Sequence, residues 1–324
     1  MKFCIGRENL ALTVFVPWDC SNRCPFCTSK ESYSRKIPSF QNVAYQLKRI
    51  LNLTSYPIRD VVFTGGEPME DAEKLKELIG HVPFDKNVYI NTSFVTRNMD
   101  EFVDLVNNTE KVKGVNISRH FETFSADDTF LCDIAPDYCV DKIKKPVRIN
   151  CVLDDAAKID KIVERWSGHE GVEISFRKDY TSPLTKKELH NPYDPVPMTL
   201  INMGFQFVSH TQCNVCDTSR FVGKDGFIVQ YHKGLKNSSV REGDVLELND
   251  LIIEQDGFFT YDWGVNDPEV MFELTKCFEL IPTVKGSLAN YFSIPFGSCE
   301  CAKDGKSTSY SLCGSSGRGC GGGC

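Results

Sequence analysis

Leu10-Ala-Leu-Thr-Val-Phe-Val-Pro17-Trp-Asp-Cys20-Ser-Asn-Arg-Cys24-Pro-Phe26-Cys27 sets an apolar, β-branched run directly before three closely spaced cysteines. The run reads as a buried strand over Ala11–Val16, and the cysteines as a short loop leaving its C-terminal end. Three thiolates in C-x3-C-x2-C spacing fill three iron corners of a cubane cluster and leave the fourth iron open. An open iron can bind a substrate-like molecule, whereas a cluster with four protein ligands mostly carries electrons. For the spacing alone, a zinc knuckle or scattered structural cysteines is the alternative.

Outward from this loop, strand-like and helix-like segments alternate as far as about Arg177. Asp60–Phe63 is a second buried strand, running into Thr64-Gly65-Gly66-Glu67-Pro68. Further strands are expected at Asn87–Asn91, Gly114–Ser118, Val147–Leu153 and Val172–Phe176. Helical spacing appears at Asn42–Leu53, Asp71–Ile79, Met99–Val106 and Ala156–Trp166. Such β/α units imply a parallel sheet with right-handed crossovers. The expected fold class is α/β: a partial, open (β/α)6 TIM-like barrel with a C-terminal hairpin-containing extension and a Cys/Gly-rich tail. Function in such barrels collects at the C-terminal ends of the strands. The cysteine loop follows the first strand and Gly65-Gly66-Glu67-Pro68 the second, so both belong on that rim. No internal repeat is evident beyond the alternation.

The cysteine motif, with an aromatic residue before its last cysteine, and the following GGEP segment resemble the radical S-adenosylmethionine (SAM) superfamily. The resemblance covers roughly residues 10–180. It implies a [4Fe–4S] cluster on Cys20, Cys24 and Cys27 whose open iron chelates the amino and carboxylate groups of SAM. It places Gly65, Gly66 and Glu67 beside the SAM amino group, Phe26 beside the adenine, and Ser118 and Asn150 among the SAM contacts. The implied chemistry is reductive cleavage of SAM to methionine and a 5′-deoxyadenosyl radical, which abstracts a hydrogen from a substrate. A reductant such as flavodoxin or ferredoxin would supply the electron. Asn91, Thr92, Ser93, Arg119, His120, Arg177 and Lys178 also stand at strand ends, where they can satisfy local backbone groups as readily as touch a cofactor. His120 is an acid–base candidate, but no catalytic residue is assigned.

Gly114-Val-Asn-Ile-Ser118, Pro146-Val-Arg-Ile-Asn150-Cys-Val-Leu and Gly171-Val-Glu-Ile-Ser-Phe-Arg177 resemble, more narrowly, the GTP 3′,8-cyclase of molybdenum-cofactor biosynthesis. Cys213-Asn-Val-Cys216, ahead of a hairpin over Lys224–Tyr231, resembles the start of that enzyme's second iron–sulfur motif. Auxiliary-cluster (SPASM/twitch-like) domains of peptide-modifying radical SAM enzymes open on such a hairpin too. The motif's third cysteine falls here on Gln230 or Tyr231. Peptide modification is the favoured substrate class, because appended cysteine motifs are common there. The alternatives are a nucleotide-rearranging, GTP cyclase-like enzyme, glycyl-radical activation, and a non-catalytic iron–sulfur redox or sensor protein.

From Gly297 to Cys324, 19 of 28 residues are Gly, Ser or Cys, too little apolar surface to offset the entropy of ordering. Three readings stay open for this segment. It is a disordered tail, or a strap whose Cys299 and Cys301 join Cys213 and Cys216 around a second iron–sulfur cluster or other metal. Alternatively it enters the active site, as the Gly-Gly terminus of the cyclase family is thought to do. Cys132, Cys139, Cys151 and Cys277 read as ordinary buried thiols. The expected division is a core barrel over 1–200, an auxiliary region over 201–296 and the tail over 297–324.

Net charge is −7 with a sequence pI of about 5.5, and the Lys/Arg-rich stretch Asp141–Arg148 is short enough to be a solvated turn feeding a strand. Bulk attraction to nucleic acid or to an anionic membrane is therefore not expected. No apolar run approaches the roughly 20 residues of a membrane span, and the N-terminus lacks a signal-peptide pattern. The expected location is cytoplasmic, where 15 cysteines point to metal or redox chemistry rather than disulfides. The expected partners are the reductant and a peptide or small-molecule substrate.

Overall fold

Val61-Val62-Phe63, Val88-Tyr89-Ile90 and Ile149-Asn150-Cys151 are buried at every position, as in strands covered on both faces. In the computed structural model these runs lie on parallel strands of one large sheet. The structure describes residues 2–5, 10–20, 22, 24, 27, 37–52, 58–94, 99–119, 137–153, 156–178, 194–212, 216–235, 239–242, 245–248 and 250–260.

The strands are β1 (Lys2–Ile5), β2 (Leu10–Val16), β3 (Ile58–Gly65), β4 (Asn87–Thr92), β5 (Val112–Ser118), β6 (Val147–Leu153), β7 (Val172–Lys178), β8 (Gln206–Gln212), β9 (Cys216–Val222), β10 (Ile228–Leu235), β11 (Ser239–Glu242), β12 (Val245–Leu248), β13 (Asp250–Ile253) and β14 (Phe259–Thr260). Among the described residues, eleven of them form one sheet in the order β14-β13-β2-β3-β4-β5-β6-β7-β10-β9-β8. The run from β13 through β2–β7 to β10 is parallel throughout. β14, β9 and β8 pair antiparallel at its two ends. The order does not return on itself, so the barrel is open. β1, β12 and β11 make a separate small sheet.

The six strands expected from the sequence are β2–β7. The expected hairpin is β9–β10, and β10 lies parallel to β7 as a further stave of the same wall. Gln230 and Tyr231 fall within β10, where Tyr231 is buried and its Oη donates to Asp194 Oδ2 at 2.6 Å.

Helices α1 (Phe40–Leu51), α2 (Ala72–Gly80), α3 (Met99–Asn108), α4 (Ile159–Trp166) and α5 (Pro195–Asn202) fill the connections. α1 starts two residues before the expected Asn42, because the Ser39 side chain accepts from Asn42 N and caps it. Pro68–Asp71 forms a 3-10 turn before α2, whose N-cap is Asp71. Asp194 caps α5 and Pro195 takes the first helical position, where a missing N–H costs nothing. Each amphipathic helix turns one stripe inward, as α1 does with Val43, Leu47, Ile50 and Leu51.

Period-2 alternation along the strands then separates two faces. Val14, Phe63, Ile90, Ile117, Ile149, Ile174 and Val229 join those helix stripes in the main core. The alternate positions form the concave face, including Thr13, Val62, Tyr89, Asn116, Arg148, Asn150, Ser175 and Gln230. Val62 and Tyr89 make their own small apolar cluster there. Within the Lys/Arg-rich stretch, Lys142 and Lys144 are exposed as expected, but Arg148 is fully buried in β6. No helix among the described residues is long and apolar enough to cross a membrane.

Candidate functional site

Parallel pairing sets Val16 at the end of β2 opposite Gly65 at the end of β3, so the cysteine loop and the GGEP turn leave the sheet side by side. Gly65 has φ +106°, a conformation that favours glycine, and this turns the chain sharply out of β3. Gly66 then passes so close to the neighbouring loop that a Cβ would lie 2.2 Å from Trp18 O and 2.7 Å from Asp19 O. Two hydrogen bonds hold that approach. Glu67 N donates to Asp19 O at 3.2 Å, and Trp18 Nε1 donates to Glu67 O at 2.8 Å.

The Glu67 side chain reaches across to the loop after β4. Its Oε1 accepts from Thr92 Oγ1 and from Met69 N at 3.0 Å, and its Oε2 accepts from Ser93 N at 2.7 Å and Ser93 Oγ at 2.5 Å. Asn22 Nδ2, inside the cysteine loop, donates to Ser93 Oγ at 2.6 Å. Arg119, just past β5, donates from Nη1 to Ser93 O at 2.7 Å while its guanidinium sits over the Phe94 ring. Glu67 and Ser93 thus tie together the loops that follow four successive strands. Phe94 takes a left-handed φ of +63° inside this knot and is completely buried, held by its own N–H on Thr92 Oγ1.

Cys20 and Cys24 are half-buried, Cys27 is exposed, and none of the three is in a disulfide. Cys20 N is held by Asp19 Oδ1 at 2.8 Å, and Cys27 N donates to Cys24 O at 3.1 Å, closing a turn. Burial, then the nearby Glu67, pushes the Cys20 thiol up to about 12. Burial, then the neighbouring Cys27, pushes Cys24 up to about 12 as well. Bare thiolates are disfavoured here, and a cationic partner offsets both causes. Among the described residues, no three His, Cys, Asp or Glu side chains converge tightly enough to hold a single metal ion. A cubane spreads its ligand sulfurs over separate corners, a wider spacing than one ion requires.

Ser118 and Asn150 stand opposite each other in the register of β5 and β6, on the concave face. Asn150 is buried, and its Oδ1 has no hydrogen-bond partner among the described residues. A buried acceptor left open this way asks for a ligand or water. Phe26, His120 and Cys213 lie outside the described residues, as do Cys299 and Cys301, and only the backbone of Cys216, at the start of β9, is described. Cys151 is buried as expected, whereas Cys132 and Cys277 fall outside and only the backbone of Cys139 is described.

A family model described as a 4Fe-4S single cluster domain matches residues 8–130, a span that takes in the cysteine loop, GGEP and β5. That match supports a [4Fe–4S] cluster as a cofactor. The residues present fit such a cluster, with three soft sulfur donors from one loop, and an open buried acceptor stands at Asn150 on the same rim. No curated protein matches the chain. The crystal structure of Streptococcus suis SuiB bound to precursor peptide SuiA is 18% identical, over 60% of this chain and 45% of that one, with a TM-score of 0.44. Native anSMEcpe with bound AdoMet and Cp18Cys peptide is 16% identical, over 93% of this chain and 91% of that one, with a TM-score of 0.48. The chain therefore spans less than half the length of the SuiB chain it matches.

Trp18, Asn22, Thr92 and Ser93 become important to the site through their bonds to Glu67 and to one another, which no spacing along the chain reveals. Glu67 itself is 1% exposed and spends its carboxylate on the knot. Glu67→Ala would leave Thr92 Oγ1, Met69 N and Ser93 N without their acceptor. The expected result is a stability loss of about 3 kcal/mol or more, measured by denaturant unfolding of the cluster-free chain. A variant as stable as the wild type would show that the knot carries no weight.

The concave wall around Asn150 also carries Arg177 and Gln230, which the sequence singled out, and Arg148, Glu173, Ser175 and His232, which it did not. His232 is buried, with Nδ1 2.9 Å from Thr218 Oγ1. Burial, then Arg177 and Arg148, holds its pKa well below the ordinary 6.5. The native ring is neutral, while the unfolded chain takes up a proton below about pH 6.5. The native state binds fewer protons there, so stability is full above that value and falls as pH drops through it. His232→Gln is expected to flatten the loss of stability between about pH 7 and pH 5. Unfolding curves of wild type and variant that stay parallel across that interval would discard this assignment.

Proposed function

We propose that this chain is an enzyme that reductively cleaves SAM to initiate hydrogen abstraction from a peptide. The observation that carries the reading is the knotted rim. Through Asp19 and Asn22, Glu67 and Ser93 hold the cysteine loop beside the GGEP turn, at the strand ends where a barrel enzyme works. Cys20, Cys24 and Cys27 would hold a [4Fe–4S] cluster, which would supply the electron for reductive carbon–sulfur cleavage of SAM.

The chain's own residues do the rest. Cys20, Cys24 and Cys27 hold the cluster through three sulfurs. The backbone of Gly65–Glu67, with Ser118 and Asn150, binds and orients SAM along the rim. Val62 and Tyr89 keep an apolar patch on the concave face, which excludes water from a reactive species. The electron comes from a protein donor such as flavodoxin or ferredoxin. A peptide suits the open sheet, because an extended chain can enter along the unclosed side. A triphosphate suits the wall poorly, since Glu173 already neutralises Arg148 at 2.5 Å.

The test is product analysis of the reconstituted full chain with dithionite and SAM. Equal amounts of methionine and 5′-deoxyadenosine are expected. No SAM cleavage by a chain with a complete cluster would leave the redox or sensor reading instead. Consumption of added GTP would move the substrate class to nucleotides.

A further inference from the structure

One layer of the concave wall is more polar than a barrel interior requires. Asn116, Arg148 and Glu173 stand in a single register row across β5, β6 and β7. Ser175 lies two residues further along β7 on the same face, opposite Asn150. Asn116, Arg148 and Ser175 are each completely buried. Yet Asn116 Oδ1, Arg148 Nη1 and Ser175 Oγ have no hydrogen-bond partner among the described residues. Polar atoms buried in this way are rare, and a cluster of three in one layer marks a place where something else binds.

The chemistry of the open atoms narrows what that is. Arg148 Nη1 and the Ser175 hydroxyl are donors, and Asn116 Oδ1 is an acceptor. Glu173 pairs with Arg148 through Oε1, at 2.6 Å from Nε and 2.5 Å from Nη2. Its Oε2 meets only a long 3.5 Å contact from Gln230 Nε2, so it has acceptor capacity left. The ion pair leaves the layer without net charge. An incoming anion would meet the Glu173 carboxylate as well as the guanidinium, and an incoming cation would meet the reverse. A neutral group with a carbonyl oxygen and an N–H side by side matches both halves. That group is an amide. The layer is not sealed, because Glu173 keeps 15% of its side chain exposed and Ser118 and Arg177 beside it are only partly buried.

Position agrees with the chemistry. The cysteine loop and GGEP leave β2 and β3, Ser118 and Asn150 stand on β5 and β6, and this layer extends to β7. Asn116 and Arg148 lie two residues deeper than Ser118 and Asn150 on the same strands, and Glu173 and Ser175 lie one strand further, about 4.8 Å on, so the layer sits beneath and beside the candidate SAM contacts, where a second molecule would lie. We propose that Asn116, Arg148, Glu173 and Ser175 form the substrate subsite and grip an uncharged amide of a peptide substrate, its carbonyl on Arg148 and Ser175 and its N–H on Glu173 or Asn116. The proposal rests on the peptide-modifying reading above and names the group that is recognised.

The test is calorimetric binding of capped probes to the reconstituted full chain in the presence of SAM. The probes are acetyl-glycyl-glycinamide, which is neutral, and acetyl-glycyl-glycine, which ends in a carboxylate. The wild type is expected to bind the amide more tightly than the carboxylate. Ser175→Ala removes one donor without disturbing the strand and should weaken amide binding about tenfold. Glu173→Gln keeps size and one acceptor but uncovers the Arg148 charge, so the preference should reverse to the carboxylate. Cluster content and circular dichroism confirm that each variant is folded. A wild type that cleaves SAM but ignores the amide, prefers the carboxylate or prefers GTP overturns the subsite alone. A wild type that binds the amide with the expected variant pattern but never cleaves SAM removes the enzymatic reading and leaves the subsite standing.

Discussion

Replacing Cys20, Cys24 and Cys27 together by alanine is expected to abolish SAM cleavage while leaving the barrel folded. Abolition follows from the proposed function, in which SAM would be activated on an iron that these sulfurs hold in place. A loop that binds no iron offers nothing to replace it. Survival of the fold follows from where the side chains sit. Cys27 is exposed and the other two are half-buried, outside the large core shared by the sheet and its helices. The loop is also anchored independently, through Asp19, Trp18 and Asn22 to Glu67 and Ser93. The variant should therefore unfold close to the wild-type denaturant midpoint. Iron content separates a further alternative. One cluster gives about four irons per wild-type chain and none in the variant. A second cluster on Cys213, Cys216, Cys299 and Cys301 gives about eight and leaves about four behind. Retained 5′-deoxyadenosine production in the triple variant would end the assignment of these cysteines.

The barrel was legible because burial on both faces writes long β-branched runs. Val61-Val62-Phe63 and Val147–Leu153 could hardly be anything else once helical segments alternate with them. The ends were less legible. Helix α1 begins at Phe40 because Ser39 caps it, a local signal that apolar spacing alone misses by two residues. The membership of β10 and β13 in the same sheet was not visible at all. β13 pairs with β2 between Asp250 and Ala11, a contact that no local preference encodes. The turn after β13 then seats itself on α1, where Ser39 N donates to Gln255 O at 2.8 Å and Asn42 Nδ2 to Asp256 O at 3.1 Å.

The site divides the same way. Motif spacing placed Cys20, Cys24, Cys27 and Gly65–Glu67 on one rim, and parallel pairing brings them side by side. What spacing could not say is which atoms of the motif remain available. The carboxylate of Glu67 reads in the sequence as a cofactor contact, but its oxygens are taken by Thr92, Ser93 and Met69. Its contribution to a SAM pocket is therefore the position of the turn rather than a free acceptor. Ser93 likewise stood among several polar strand-end residues, and only the fold shows it joining Asn22, Glu67 and Arg119.

Gly66→Val is expected to cost both SAM affinity and cluster assembly. From the sequence alone the glycine keeps a Cβ out of the way of the SAM amino group, which predicts weakened SAM binding on an intact cluster. The geometry adds a nearer obstacle. A Cβ on residue 66 would sit 2.2 Å from Trp18 O, 2.7 Å from Asp19 O and 2.9 Å from Asp19 C. These are backbone atoms, so no side-chain rotation relieves the overlap. One of the two loops must move by about an ångström to restore ordinary contact distances of roughly 3.5 Å. The loop that moves carries Cys20 immediately after Asp19, and its displacement breaks the Glu67 N to Asp19 O and Trp18 Nε1 to Glu67 O bonds. Two hydrogen bonds and the overlap together amount to about 3 kcal/mol, roughly a hundredfold in the population of the correct loop arrangement. Iron content should fall along with SAM affinity, and SAM added before reconstitution should not rescue it. Gly66→Ala, with the same Cβ and no branch, should show the same double loss, because the clash is already complete at Cβ. If the valine variant instead assembles a full cluster and loses only SAM binding, the glycine serves the cofactor directly and the loops have found another way to pass.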